Sequence, residues 1–407
     1  MPLAPPAVVL GEGYSGATMM GVVRSLGRLG IPVSVFSSHP DSPARFSRYC
    51  RYVQAPDAAR EPRALEALLL EHAKEQKSRP IIFPIGDLEV LFLAQCAERL
   101  QSDYRFVLAK PELIRDLTDK QVQYEIAARC GMQTPRTYPG LNPANARSED
   151  IEFPVVIKPV HSHSWPWRGE TKALSAANAA QLEAHLQNME KLQIRVVVQS
   201  IIPGPTSHLY TVIAYASNTT AITAVATLRK LRQFPVDFGF GSLNETVRMQ
   251  ELESQAVAFL RRIDFCGVCG LEFKLDPRDG RFKFIEMNPR FELAHHLAAT
   301  AGVDVARAMY ADLSGNQLPL PTTYQDGLRW ICLPLDVKAS RALFAKGELS
   351  FSAWIRSMRN IRTEALLTWD DPWPALRSYG RTLRCTFSRS NSKLPSNIAV
   401  ATSGEVL

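Results

Sequence analysis

Short apolar runs and helical stretches alternate along the first part of the chain. Strand-like runs at 7–10, 32–36 and 80–84 are separated by stretches near 18–29 and 63–77 whose apolar residues recur every three or four positions. Alternation at this spacing predicts a parallel sheet with right-handed crossovers, an α/β unit over residues 7 to about 118. After Thr118 and Asp119 a capped helix is predicted to end at Gly131, ahead of Pro135, and to open a new unit. From Phe153 the pattern becomes strand-rich, with runs at 154–158, 195–199, 208–216, 221–227, 269–275 and 282–287, and helices near 176–189 and 251–263. An α+β unit thus follows the α/β one. Beyond 320, Trp330, Trp354, Trp369 and Trp373 lie in mixed helical and turn sequence without a chemical motif.

Composition narrows the classes. A chain of 407 residues predicts two or three domains. Its 46% hydrophobic and 21% charged residues exclude a disordered, collagen-like or coiled-coil chain. The apolar runs fall far short of the ~18–20 residues that cross a bilayer, so no membrane span is predicted. The start has no basic n-region, which leads to the expectation of a cytoplasmic protein. Seven scattered cysteines read as reduced thiols. The net charge of +7, from 47 basic and 40 acidic residues, fits an anionic small substrate as well as nucleic acid, and no nucleic-acid partner is expected. Much of the local excess lies in 377–393, read as a solvated, frayed tail, with a membrane surface or nucleic acid as the lesser alternative.

The first strand runs into Gly11, Gly13 and Gly16, a G-x-G-x-x-G before a helix. Alone this suggests dinucleotide binding, but the acid needed at the end of the second strand is missing, since that strand closes on Ser37 and Ser38. Two further readings stay open: helix N-terminal amides, with Gly13 and Ser15, that hold another anion such as a carboxylate, or a purely structural turn. Asp87 follows the run 81–86, at the end of a parallel strand, where it would touch substrate or cap the next helix.

Lys158 ends the apolar run Val155, Val156, Ile157 and is followed by Pro159. An ammonium at the end of a buried strand needs an anion, and phosphate is the natural one; a snorkelling lysine is the alternative. Residues 269–275 and 282–288 flank the turn sequence Asp276-Pro-Arg-Asp-Gly280 and predict a hairpin. With its centre near Asp279, Glu272 falls opposite Glu286, and Phe284, Glu286 and Asn288 share a face. Facing carboxylates repel, so a cation belongs between them. Glu272, Glu286 and Asn288 offer oxygen alone, which selects Mg²⁺ (or Mn²⁺) over zinc, and Mg²⁺ with few protein ligands brings nucleotide phosphates. A solvated charged face is the alternative.

The order and spacing of Lys120, Lys158, the segment Val197 to Gly204, Glu272, Glu286, Asn288 and Arg290 resemble the ATP-grasp superfamily, particularly its carboxylate–amine ligases similar to the carbamoyl-phosphate synthetase large chain and D-aspartate ligase. The resemblance covers roughly residues 7 to 315. It implies an ATP-grasp fold at 119–320, an N-terminal Rossmann-like pre-ATP-grasp domain at 1–118, a small C-terminal accessory region at 321–385 and a disordered tail at 386–407. It further implies that Lys120 and Lys158 bind ATP phosphates, Gln199 and the Ile202 backbone hold adenine, and Glu272, Glu286 and Asn288 hold Mg²⁺. Arg290 would stabilise the transferring phosphoryl group or the substrate carboxylate. The usual acid after the hinge glycine is absent, leaving no ribose ligand in 205–208, and the loop after Lys158 has Ser162, His163, Arg168 and Lys172 as donors for the phosphates or as part of an aromatic cluster.

Other candidates carry less. Cys266 and Cys269 form a lone C-x-x-C and read as core. Arg229 and Arg232 stand beside Gly239 and Gly241 and suit a carboxylate or phosphate ligand, or a basic surface loop. The expected activity is a ligase that joins a small-molecule carboxylate to an amine through an acyl phosphate, releasing ADP and phosphate, in a monomer or homo-oligomer. The rivals are an NAD-dependent oxidoreductase, resting on the glycine turn, and a non-catalytic ATP-binding regulatory protein.

Overall fold

A strand with no polar face must be covered on both sides, and the first apolar runs are covered in this way. The computed structural model describes residues 4–13, 16–147, 150–165, 171–315 and 323–380. The first unit runs β1 (Ala7–Leu10), α1 (Ala17–Gly27), β2 (Val33–Ser37), β3 (Arg51–Gln54), α2 (Pro62–Lys74), β4 (Ile81–Pro84) and α3 (Asp87–Leu100). Its four strands pair in parallel in the order β3-β2-β1-β4, and β1 and β4 are buried at every position. The alternating pattern therefore gives the expected parallel sheet, with its strand order reversing between β1 and β4. Crevices outside the carboxyl ends of strands form where the order reverses.

Helices α4 (Pro111–Thr118) and α5 (Lys120–Arg129) meet at Asp119, whose side chain accepts from Gln121 N at 2.9 Å and Val122 N at 3.3 Å. This is the predicted cap, and the chain turns at Gly131, φ 79°. A small antiparallel sheet follows, built from β5 (Thr137–Tyr138), β6 (Val155–Pro159), β7 (Leu174–Ala176), α6 (Ala179–Lys191) and β8 (Val196–Ser200), in the strand order β5-β8-β6-β7.

The third sheet is the largest. Its elements are β9 (Leu209–Ala216), β10 (Ile222–Phe234), β11 (Phe240–Thr246), α7 (Gln250–Arg262), β12 (Gly267–Asp276), β13 (Arg281–Asn288), α8 (His295–Ala301), α9 (Val305–Ser314), β14 (Arg329–Ile331), α10 (Leu333–Ala345), α11 (Phe351–Ser357) and β15 (Ile361–Glu364). The strand order is β13-β12-β9-β10-β11-β14-β15. On β12, Cys269, Leu271 and Phe273 face one core, with Val268, Gly270 and Glu272 on the opposite face, as the alternation predicts.

The hairpin pairs Glu272 with Glu286, as expected, but the ladder slips at the next step and sets Phe273 against Phe284. Ile285 is thus an extra residue on β13, a bulge that changes which face its neighbours present. Phe284 and Met287 consequently enter the same core although three residues apart, and Phe284 does not share a face with Glu286 as regular alternation predicts. As an edge strand β13 needs cover, and α5 supplies it. Gln123 Nε2 donates to Met287 O at 2.7 Å while its Oε1 accepts from Met287 N at 2.9 Å, and Tyr124 OH donates to Ile285 O.

Two buried ion pairs fasten residues after 330 to the rest. Arg232 Nε and Nη2 donate to the two oxygens of Asp336 at 2.8 and 3.0 Å, and Trp354 Nε1 reaches the same carboxylate at 3.0 Å. Arg24, on α1, donates to Asp371 Oδ2 at 3.1 Å and to Leu366 O at 2.7 Å. Removing one partner of such a pair strands a buried charge. We expect Asp336→Ala to lower unfolding free energy by about 3–5 kcal/mol, read from the urea midpoint; a loss below ~1 kcal/mol would show that water reaches Arg232.

Candidate active site

Glu272 and Glu286 face each other across the β12–β13 ladder, and lysines from three other elements converge on them. Lys230, on β10, reaches across β9 to 3.5 Å from Glu272 Oε2. Lys120 opens α5, and the Gln123 clamp on β13 carries it to 3.4 Å from Glu286 Oε2, where its Nζ also donates to Ser162 Oγ at 2.8 Å. Burial pushes the Glu286 carboxyl up, but Lys120, Lys172, Lys158 and Arg290 outweigh it and hold the group well below the usual carboxylate range.

Lys158 and Lys172 differ from the other two. Lys158 Nζ donates to Tyr124 OH at 3.3 Å and Gln199 Oε1 at 3.2 Å; Lys172 lies 3.8 Å from the centre of the Phe240 ring. Among the described residues neither ammonium has a carboxylate within ion-pair distance. Burial lowers both pKa values, and Glu272 and Glu286 pull them part of the way back. Two such cations are poised for a bound anion.

On the other side of Glu286, Asn288 Nδ2 donates to Glu292 Oε1 at 2.8 Å and Arg290 Nη2 donates to Asn288 Oδ1 at 3.3 Å. Glu292 fills the space that Gly270 leaves, since a Cβ there would run into the Glu292 side chain. Arg290 Nε donates to Asp87 Oδ1 at 2.9 Å, which joins the hairpin to the first parallel sheet. Asp87 is the first residue of α3, whose cap is Gly86, so the capping alternative for Asp87 gives way to a role in holding Arg290. Glu272, Glu286 and Asn288 present hard oxygen donors, which suit Mg²⁺; among the described residues no three His, Cys, Asp or Glu side chains form a metal cage.

Beside Asp87 lies the crevice between β1 and β4. Gly11 and Gly13 have φ of 87° and 67°, conformations that favour glycine, while Ser15 lies outside the described residues. Ser37, where a dinucleotide fold needs an acid, donates to the carboxylate of Glu12 at 2.8 Å. A carboxylate within the turn repels a pyrophosphate, so the turn does not fit NAD. Glu89, which the spacing did not single out, packs where Cβ atoms on Gly11 and Gly86 would stand. Burial, and then Asp87 and Asp57, push its carboxyl up to about 7.

Other expectations change. Gln199 is fully buried; its Oε1 accepts from Lys158 and its Nε2 donates one hydrogen to Thr137 Oγ1 at 2.9 Å, so it orients Lys158. Ile202 follows β8 with a buried side chain, after Ser200 N and Ile201 N have bonded Arg136 O and Pro154 O. Arg229 and Arg232 are not free for a ligand: Arg229 Nε donates to Glu245 Oε1 at 2.8 Å, and Arg232 lies in the buried pair with Asp336. Cys269 is fully buried, and Cys266 Sγ bonds Leu108 O at 3.3 Å, as core thiols do. Arg168 lies outside the described residues.

Comparison with known proteins agrees with this geometry. Residues 240–320 match the model of the carbamoyl-phosphate synthase L chain ATP-binding domain. D-aspartate ligase of Enterococcus faecium is 23% identical over 328 residues, covering 76% of this chain and 77% of that protein. The arginine-specific carbamoyl phosphate synthase large chain of Oryza sativa subsp. japonica is 28% identical over 222 residues, 52% of this chain and 18% of that one. The biotin carboxylase of Campylobacter jejuni, solved as an ATP-analogue complex, superposes with a TM-score of 0.62 at 17% identity, over 79% of this chain and 74% of that one, and shares the fold. No helix among the described residues is long and apolar enough to cross a membrane.

Glu89 supplies a test. Its folded-state pKa of about 7 exceeds the ordinary 4.5, so folding favours the protonated form. Its contribution to stability is fully present below the unfolded pKa and is lost as pH rises through the folded one. Glu89→Gln should therefore raise Tm at pH ~8 and leave it unchanged at pH ~4 in a thermal melt; equal Tm values at both would place the carboxyl in solvent.

Proposed function

We propose that the chain is a member of the ATP-grasp superfamily and an ATP-dependent ligase that joins a carboxylate to an amine through an acyl phosphate. The observation that carries this reading is the facing pair Glu272 and Glu286 ringed by Lys120, Lys158, Lys172 and Arg290, an arrangement built for polyphosphate and a hard cation. D-aspartate ligase, similar over three quarters of both chains, is a ligase by name and supports it. The Rossmann-like pre-ATP-grasp domain would take residues 1–118, the ATP-grasp domain 119–320, the accessory region 321–385 and the tail 386–407.

Lys120, Lys158 and Lys172 hold the phosphates of ATP, and the Ile202 backbone meets adenine. Glu272, Glu286 and Asn288 hold Mg²⁺ or Mn²⁺, which when bound neutralises phosphate charge. A substrate carboxylate oxygen attacks the γ-phosphorus and ADP leaves. Arg290, held by Asp87, neutralises the equatorial oxygens, and the protein contributes position and charge more than covalent chemistry. The amine then attacks the acyl carbon, phosphate departs with the C–O bond electrons, and the nitrogen loses a proton. Glu89, in the adjoining crevice with a pKa near neutrality, is placed to accept a proton from the amine nitrogen.

Hydroxylamine can replace the amine. With ATP, Mg²⁺ and a panel of carboxylic acids, the purified chain should form a hydroxamate and release ADP and phosphate with one class of acid. Glu286→Gln should lower the rate by at least about 10²-fold with an unchanged circular dichroism spectrum, and Lys158→Ala should suppress the hydroxamate. Release of AMP and pyrophosphate would replace the acyl phosphate with an adenylate; ATP binding without turnover for any acid would favour a regulatory protein.

A further inference from the structure

Away from the candidate active site, the segment 367–376 exposes aromatic and aliphatic side chains that the core did not take up. Trp369 is wholly exposed at 102%, Trp373 at 59%, Leu376 at 53% and Leu367 at 46%. Trp330 and Trp165, by contrast, are buried at 1% and 4%. Trp373 and Leu376 lie on a helical segment, 373–380, that forms one wall of a groove of about 650 Å³; Arg45 and Phe46 stand on the other wall. The Arg377 guanidinium lies 5.3 Å from the centre of the Phe46 ring. Among the described residues Asp41 is the one acidic residue lining the groove.

The chain leaves this groove at Gly380, and residues 381–407 lie outside the described residues. Their sequence adds Arg381, Arg384, Arg389 and Lys393, with no acid before Glu405.

We propose that this face docks on the surface of an anionic lipid bilayer. The charge selects the occupant. The chain's own tail is basic and would meet basic walls, and a second copy related by a twofold axis would oppose the same arginines. Nucleic acid would answer the guanidinium groups but leave the indoles and Leu376 in water. A headgroup layer accommodates both, since indoles sit at the level of the headgroups, leucine enters the acyl boundary and arginine meets the phosphates. The chain would lie on the bilayer without crossing it.

The test is co-sedimentation of the full chain with vesicles of phosphatidylglycerol and phosphatidylcholine in equal parts, against pure phosphatidylcholine. We expect binding to the anionic vesicles alone, weakened by salt, with a blue shift of tryptophan emission, and a loss of at least about tenfold in Trp369→Ser/Trp373→Ser. Thermal melts should be unchanged in that variant, since both rings are exposed. No binding by the full chain, or equal binding by the double variant, overturns the proposal. A dimer dissociated by the double substitution assigns the face to a second copy, and retention on an oligonucleotide without vesicle binding assigns it to nucleic acid; each overturns it.

Discussion

Two carboxylates held opposite each other on a hairpin repel, and the rest of the catalytic face answers that repulsion. Glu272 and Glu286 cannot separate, because the ladder fixes their spacing, so cations must come to them. Lys230 arrives from the same sheet, Lys120 from a helix tip, Lys158 and Lys172 from the small sheet and its following segment, and Arg290 from the turn after β13. Groups from two sheets and a helix are thus drawn toward one hairpin by charge. Among the described residues two of the lysines have no carboxylate partner, which leaves the region short of negative charge at the place where phosphates would lie.

The positions of these cations depend on neutral contacts that carry no charge themselves. Gln123 acts as a substitute strand for β13 and thereby sets the first turn of α5, while Gln199 and Tyr124 hold the Lys158 ammonium between them. Asp87 is the charged exception, a carboxylate that holds Arg290 from the opposite side. These contacts come from α3, α5 and β8, so the geometry around the hairpin reflects how the parts are packed together.

Much of this was legible in the sequence, for reasons that also mark its limit. The turn Asp276 to Gly280 marks the hairpin, but the ladder next to it pairs Asp276 with Arg281, a register that would set Ile285 opposite Glu272, and the extra residue Ile285 is what brings Glu286 there. The bulge at Ile285 was not legible, because it arises where α5 lies along an edge strand. Lys230 stands in a run with Arg229 and Arg232, and regular alternation would give Lys230 and Arg232 one face, but a register shift on β10 between them accompanies Lys230 facing Glu272 and Arg232 turning to Asp336, 104 residues away. Glu292 and Glu89 had a signal that spacing analysis passes over. Each fills room left by a glycine on a neighbouring strand end, Gly270 for one and Gly11 with Gly86 for the other. The strand-terminal lysine at 158 was readable because a buried ammonium requires an anion wherever the fold places it.

The pairing of Arg24 with Asp371 spans 347 positions of sequence. During synthesis on a ribosome α1 emerges long before its counterion exists, so its inner guanidinium must stay hydrated while the parallel sheet assembles around it. The segment from Leu366 to Asp371 docks later and displaces that water, and Asp371 at the same time accepts from Ser47 Oγ and Arg48 N. That docking closes a latch. A nascent chain released before that segment would keep every predicted phosphate ligand and still carry an open seam along the helix that begins its first crossover.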